Sequence, residues 1–141
     1  MKVRDYVVKW AYPEDMEPIP GMKRPRRDGI GEVMKDDKGE VIYEPIFGSV
    51  TQCGIFQRVP KTEDVLSPVG EMGKAYCAPE DHFDKEVGRK TSLGRALHKA
   101  FGSTAEYRQL RKEFWDAFRT LKKNPKWMSK KGTRKWKVSP F

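Results

Sequence analysis

The apolar period of this chain changes at Pro79, and that change limits the folds open to it. Before Pro79, apolar residues fall in short β-branched and aromatic runs broken by proline and glycine. After it they recur every three or four residues until Pro125. A run of strands followed by a run of helices indicates an α+β chain rather than an alternating one. The expectation is a small antiparallel sheet followed by two C-terminal helices, packed on one sheet face, and a basic tail.

In the first half, residues 3–12 read as a strand, with Val8 and Trp10 alternating with Lys9. Residues 13–28 contain Pro13, Pro18, Pro20, Gly21 and Pro25 and read as a loop. That loop ends in a small basic cluster, Lys23-Arg24-Pro25-Arg26-Arg27. Residues 30–35 and 40–47 suggest a hairpin about Asp37-Lys38-Gly39, whose Asp and Gly tolerate left-handed dihedrals. Val41, Tyr43 and Pro45 would share one face of it, and Ile42, Glu44 and Ile46 the other. Gly48-Ser49 then leads into a further strand, Val50 to Val59. A loop over 60–70 and a short strand from Met72 to Cys77 complete this half.

In the second half, Phe83, Val87, Thr91, Gly94, Leu97 and Phe101 trace a helical stripe over roughly 84–101. Leu93, Ala96 and Ala100 widen it, and Gly88 leaves room for a restart at Thr91-Ser92. Gly102 is placed to close this helix. Ser103-Thr104-Ala105-Glu106 has the spacing of a capping box for the next one. Tyr107, Leu110, Phe114, Ala117, Phe118 and Leu121 then share one face until Pro125.

Charge separates the C-terminus from the rest. Nine basic residues and no acid follow Asp116, equal to the entire formal net charge of +9, so residues 1–116 are balanced. The sequence divides into a single α+β domain over 1–123 and a basic, Trp-containing tail over 124–141. Cations with interleaved indoles suit a polyanion whose phosphates take the charge and whose bases take the rings. The candidate nucleic-acid-binding residues are Arg108, Arg111, Lys112, Arg119 and Lys122 on the second helix, with Lys123, Lys126, Trp127, Lys130, Lys131, Arg134, Lys135, Trp136 and Lys137 beyond it. The plain alternative is a solubilising or flexible end, or a tail that folds back on the body. Expected partners are nucleic acid, RNA or DNA, or a host ribonucleoprotein.

Cys77-Ala78-Pro79-Glu80-Asp81-His82-Phe83, then Gly88-Arg89 and Arg95-Ala96-Leu97, form the most distinctive string. It resembles a segment of short phage-encoded proteins of unknown function, with a Cys, Pro-x-Asp-x-Phe, Gly-Arg and Arg-Ala-Leu in that order. The resemblance covers about 25 of the 141 residues. It implies a phage origin and no activity. A phage-encoded inhibitor of a host defence nucleoprotein, of the anti-CRISPR kind, is therefore the second functional reading. Gly88 and Gly94 would allow the helix to approach the sheet closely. Arg89, Lys90, Arg95 and Lys99 could form a basic face or simply a solvated one.

Other chemistry is poorly supported. Cys53, Cys77, His82 and His98 are the conceivable zinc ligands, but only Cys77 and His82 are near neighbours, and structural sites favour close pairs. The run from Glu80 to Asp84 could hold Mg²⁺ for a nuclease, yet acids at a helix start are expected for the dipole alone. There is no phosphate-binding glycine loop, nucleophile elbow or dinucleotide fingerprint. No catalytic residue, metal or cofactor is expected. No apolar run approaches the ~20 residues of a membrane span. Met1-Lys2-Val3-Arg4-Asp5 has no apolar signal segment behind it, so a cytoplasmic protein is expected, in the host cell if phage-encoded.

Overall fold

A computed structural model describes residues 3–58, 66–120 and 127–133. After a 3₁₀ turn at Val3–Asp5, the elements in chain order are β1 (Tyr6–Ala11), β2 (Glu17–Pro25), β3 (Tyr43–Arg58), β4 (Leu66–Pro68) and β5 (Gly73–Cys77), then α1 (Lys85–Phe101), a 3₁₀ turn (Ala105–Tyr107), α2 (Arg108–Thr120) and β6 (Met128–Thr133). Five antiparallel strands precede two helices, and the α+β class follows.

The 16-residue β3 organises the sheet. Its C-terminal half pairs antiparallel with β1, from Tyr6↔Gln57 to Ala11↔Gln52. Its other edge there carries β5, Ser49↔Cys77 to Cys53↔Gly73, and β4, Phe56↔Pro68 to Arg58↔Leu66. Its N-terminal half runs on as an arm and pairs with β2. The expected break at Gly48-Ser49 does not occur, because β3 is continuous through both.

Alternation along the strands sends Tyr6, Val8, Trp10, Cys53 and Ile55 to the helical side. There they form one cluster with Leu93, Ala96, Leu97 and Phe101 of α1 and with Leu110, Phe114 and Phe118 of α2. Trp10, Phe114, Leu93 and Val8 are completely buried, and Trp10 Nε1 donates to the Arg89 carbonyl at 3.3 Å. Tyr6 meets Phe101 edge to face at 5.5 Å between centroids. Val7 and its partner Phe56, on the opposite face, are also buried.

α1 is one uninterrupted helix. Asp84 is its N-cap, accepting from the backbone N–H groups of Glu86 and Val87, and Gly102, at φ 66°, closes it with an N–H to the His98 carbonyl. The helix starts just after the acidic run, which the dipole expectation places in its first turn; of that run only Asp84 acts on the helix, and it does so by accepting from two free amides. Gly88 lies against the sheet, where an added Cβ would sit 2.6 Å from Thr51 Oγ1. Gly94 instead faces Trp115 of α2, at an ordinary 3.5 Å.

Two further expectations are corrected. Residues 13–28 are not all loop, since Glu17–Pro25 is β2. Prolines are tolerated there because β2 is the end strand of the sheet path and because its register jumps between Pro18 and Lys23, so few ladder amides are required of it. The capping box at Ser103 does not form. Ser103 Oγ lies 3.3 Å from His98 Nδ1, and the chain enters α2 through a 3₁₀ turn preceded by Thr104, whose side chain makes no cap.

Residues 127–133 are part of the sheet. β6 pairs parallel with β1, Val8↔Met128 and Ala11↔Thr133, and Met128 is completely buried. The described part of the expected tail is therefore folded against the body.

Candidate nucleic-acid interface

α2 is strongly amphipathic. Leu110, Phe114 and Phe118 face the core, and Arg108, Lys112 and Arg119 are exposed. Arg111 is half-buried and donates to the Gly102 carbonyl at 3.1 Å, joining α2 to the end of α1. Arg119 lies 3.5 Å from Asp116. Glu106, Glu113 and Asp116 are interleaved with the cations. Of the candidates on this helix, Arg108 and Lys112 present charge outward most directly, and Arg111 has a structural hydrogen bond.

Trp127 is not an isolated ring on a free tail. It is half-buried, packs on the core cluster, and its carbonyl accepts the Val8 N–H at 2.6 Å. Lys130 and Lys131 occupy strand positions in β6. Lys122, Lys123, Lys126, Arg134, Lys135, Trp136 and Lys137 lie outside the described residues.

The cations of α1 are mostly engaged locally. Arg89, half-buried, donates to Glu86 at 2.8 Å and to Tyr12 Oη at 3.3 Å. Burial works against the Arg89 charge, but the hydrogen bonds to Tyr12 and Glu86 outweigh it and hold the guanidinium above its ordinary value. Arg95 donates to the Lys74 carbonyl, and Lys99 reaches the Met72 carbonyl at 3.2 Å. These side chains join α1 to β5 and its approach. Their role in the structure is attachment of the helix to the sheet edge.

Beside the start of α1, a cleft of about 250 Å³ is lined by Thr51, Tyr76, Cys77, Asp81, His82 and Phe83, among others. The Cys77 thiol lies 3.6 Å from the carbonyls of Ala78 and Asp81. Among the described residues, no three His, Cys, Asp or Glu side chains come together as a metal site. Cys53 is completely buried, and burial pushes its thiol well above the ordinary value, as befits a small core residue. Thr51 Oγ1 is buried beneath Gly88 and has no hydrogen-bond partner among the described residues.

The arm carries a second set of cations, on a scaffold with its own sequence signal. Arg27-Asp28-Gly29-Ile30-Gly31-Glu32-Val33 and Lys35-Asp36-Asp37-Lys38-Gly39-Glu40-Val41 repeat one pattern eight residues apart: a base, Asp, two variable residues, then Gly-Glu-Val. Each copy folds alike. Asp28 Oδ1 accepts from the amides of Ile30 and Glu32, and Asp36 Oδ1 from those of Lys38 and Glu40, all at 2.9–3.0 Å. Gly31 and Gly39 take the left-handed dihedral that the turn requires, φ 88° and 79°. Arg27 then bridges Val33, and Lys35 bridges Val41. Of the hairpin expected over 30–35 and 40–47, only the turn about Asp37-Lys38-Gly39 forms, as the second copy; residues 29–31 are the turn of the first copy rather than part of a strand, and β3 begins only at Tyr43.

The two copies close a three-way pairing just before β3. Arg26 N–H donates to the Ile42 carbonyl, Ile42 N–H to Met34, and Met34 N–H to Arg26, at 2.8, 3.0 and 2.8 Å. Val33, Met34, Val41 and Ile42 are half-buried about this ring, so the arm has a small apolar centre of its own. Lys23, Arg24, Arg26 and Arg27 are all exposed on it.

No family model, no curated protein and no solved structure matches the chain. Among the described residues, no helix is long and apolar enough to cross a membrane.

Proposed function

We propose that this chain is a small non-enzymatic protein that binds nucleic acid, or a nucleoprotein, through its basic C-terminal region, in the cytoplasm. The observation that carries the reading is the run of nine basic residues after Asp116 with no acid among them. Each phosphate neutralised releases a condensed counterion, so such a segment supplies affinity without sequence selectivity. Two features of the fold support it. β6 is the end strand of the sheet path, which places Lys130 and Lys131 at a sheet edge rather than on a free chain. Arg108 and Lys112 are exposed on α2. Edge lysines also keep strands of different molecules apart, so binding has to be measured directly.

The test is fluorescence anisotropy on a labelled oligonucleotide over a series of salt concentrations. With about six phosphate contacts, log affinity falls against log salt with a slope of about −5 on duplex DNA. Lys130→Ala with Lys131→Ala lowers that slope. A flat salt response removes the electrostatic mechanism. Resemblance of the Cys77–Leu97 string to phage proteins favours a host ribonucleoprotein as the form in which the nucleic acid is met. Pull-down from host lysate with and without nuclease separates the two: retention that survives nuclease identifies a protein partner.

A further inference from the structure

The arm has one face that its own packing leaves open. The register sets Pro18 opposite Phe47, Lys23 opposite Pro45 and Pro25 opposite Tyr43. Directly opposed residues of an antiparallel pair share a face, and alternation puts Tyr43, Pro45 and Phe47 on that same face of β3. Tyr43 is 58% exposed and Phe47 46%, and Lys23, Pro25 and Pro45 are exposed with them. Glu44 points to the opposite face, where it pairs with Arg24 at 2.8 Å. At the paired positions this face therefore has two open aromatic rings, three prolines and a lysine, and no carboxylate. Arg27 and Lys35 occupy the positions equivalent to Tyr43 around the three-way closure, each bridging a residue of the next turn; both are exposed, and Arg27 Nη1 also donates to the Gly31 carbonyl at 2.7 Å, leaving its other N–H groups for a ligand.

We propose that this face is a stacking platform for single-stranded nucleic acid, with Tyr43 and Phe47 taking bases and Lys23 and Arg27 taking backbone phosphate. The inference rests on the nucleic-acid reading above and adds to it a second contact surface and a strand preference. The charge decides the occupant. An apolar protein segment gains nothing from flanking cations, whereas a single strand offers base faces to the rings and phosphates to the lysine and arginine. In a duplex the base faces are already stacked and the rings find no partner. Tyr43 and Phe47 are four residues apart on a strand, about 13 Å, so one chain can cross both. The platform is rigid because the ring of backbone hydrogen bonds through Arg26, Met34 and Ile42 holds the end of the arm.

The experiment uses the full chain and fluorescein-labelled oligothymidylate, oligouridylate and a mixed-sequence duplex. Tyr43→Ala with Phe47→Ala weakens single-strand binding about ten-fold or more, leaves the salt slope unchanged, and leaves duplex binding unchanged. Tyr43→Phe with Phe47→Tyr keeps wild-type affinity. Lys23→Glu, an exposed charge reversal that leaves the rings in place, weakens binding and lowers the slope. Single-strand affinity unchanged in both the alanine pair and Lys23→Glu overturns the platform. If Lys130→Ala with Lys131→Ala weakens binding in that case, the nucleic-acid reading stands without it. No binding by the wild type to any probe overturns both. A concentration-dependent dimer in sedimentation that the alanine pair abolishes assigns the face to a second copy and overturns the platform.

Discussion

Val8 in β1 donates its backbone N–H to the Trp127 carbonyl at 2.6 Å and is paired in parallel register with Met128. This relationship ties the C-terminal segment to the most buried strand, since Val8 and Met128 are both fully inaccessible. Truncation after Pro125 therefore lowers the stability of the whole domain. Met128→Ala alone costs about 2 kcal/mol or more, from lost burial and the cavity left behind. Urea unfolding followed by circular dichroism measures both. An unchanged midpoint in both variants would show that β6 adds nothing to the fold.

The two neighbouring aromatics of α2 differ in depth. Phe118 is 5% exposed and meets Trp10 at 6.1 Å between centroids, whereas Trp115 is only half-buried and packs at the edge of the cluster. Phe118→Ala costs about 3 kcal/mol or more. Trp115→Ala costs distinctly less. Equal losses in the two variants would place Trp115 in a closed core.

Gly88 and Thr51 form a contact that can be tested as a pair. Gly88→Ala drives a methyl into Thr51 Oγ1 and costs about 1–3 kcal/mol. Thr51→Ala removes a buried hydroxyl that has no partner among the described residues, which is close to neutral on its own. Combined, the double variant recovers part of the Gly88→Ala loss, and a double-mutant cycle reads the coupling. Simple additivity would sink the steric account.

Stability falls at alkaline pH. Burial raises the Cys53 thiol well above its ordinary value of 9.0, and burial likewise raises Tyr6 and Tyr12 from 10.0. The folded state therefore keeps protons that the unfolded chain has already released. The contribution is complete below the unfolded thiol value and is lost as pH rises through the folded ones. Chemical unfolding from about pH 8 to about pH 10.5 shows the decline, and Cys53→Ala makes its slope shallower. A slope unaffected by Cys53→Ala assigns the decline to the tyrosines.

The helices were legible because their stripes are local. Phe114 and Phe118 lie at the spacing that puts both on one face, and both are core. Asp84 and Gly102 end α1 for reasons written in adjacent residues. The strand β2 was not legible, because Pro18 and Pro25 are acceptable only to a strand whose other edge carries no ladder. Ser103 had the right spacing for a cap, yet His98, a turn earlier in α1, takes its hydroxyl.

The candidate interface divides in the same way. Charge is additive along a chain, so the cationic C-terminus could be read without any fold. Exposure is not additive. Trp127 reads as an unpartnered ring in a basic segment, and in the fold it packs half-buried against the core cluster. Tyr43 and Phe47 read as ordinary strand residues, and the arm leaves them open.

By itself, then, the sequence determined what depends on neighbours a few residues away: the two helical stripes, the turn about Asp37-Lys38-Gly39, and the distribution of charge. Only the tertiary structure decided which strand edges meet. A parallel pair such as β1 and β6 has partners more than a hundred residues apart, and one buried methionine among lysines sets no period that could announce it. The energy of that pairing comes from burial against a strand elsewhere in the chain, so it exists only once the fold has brought Val8 and Met128 together.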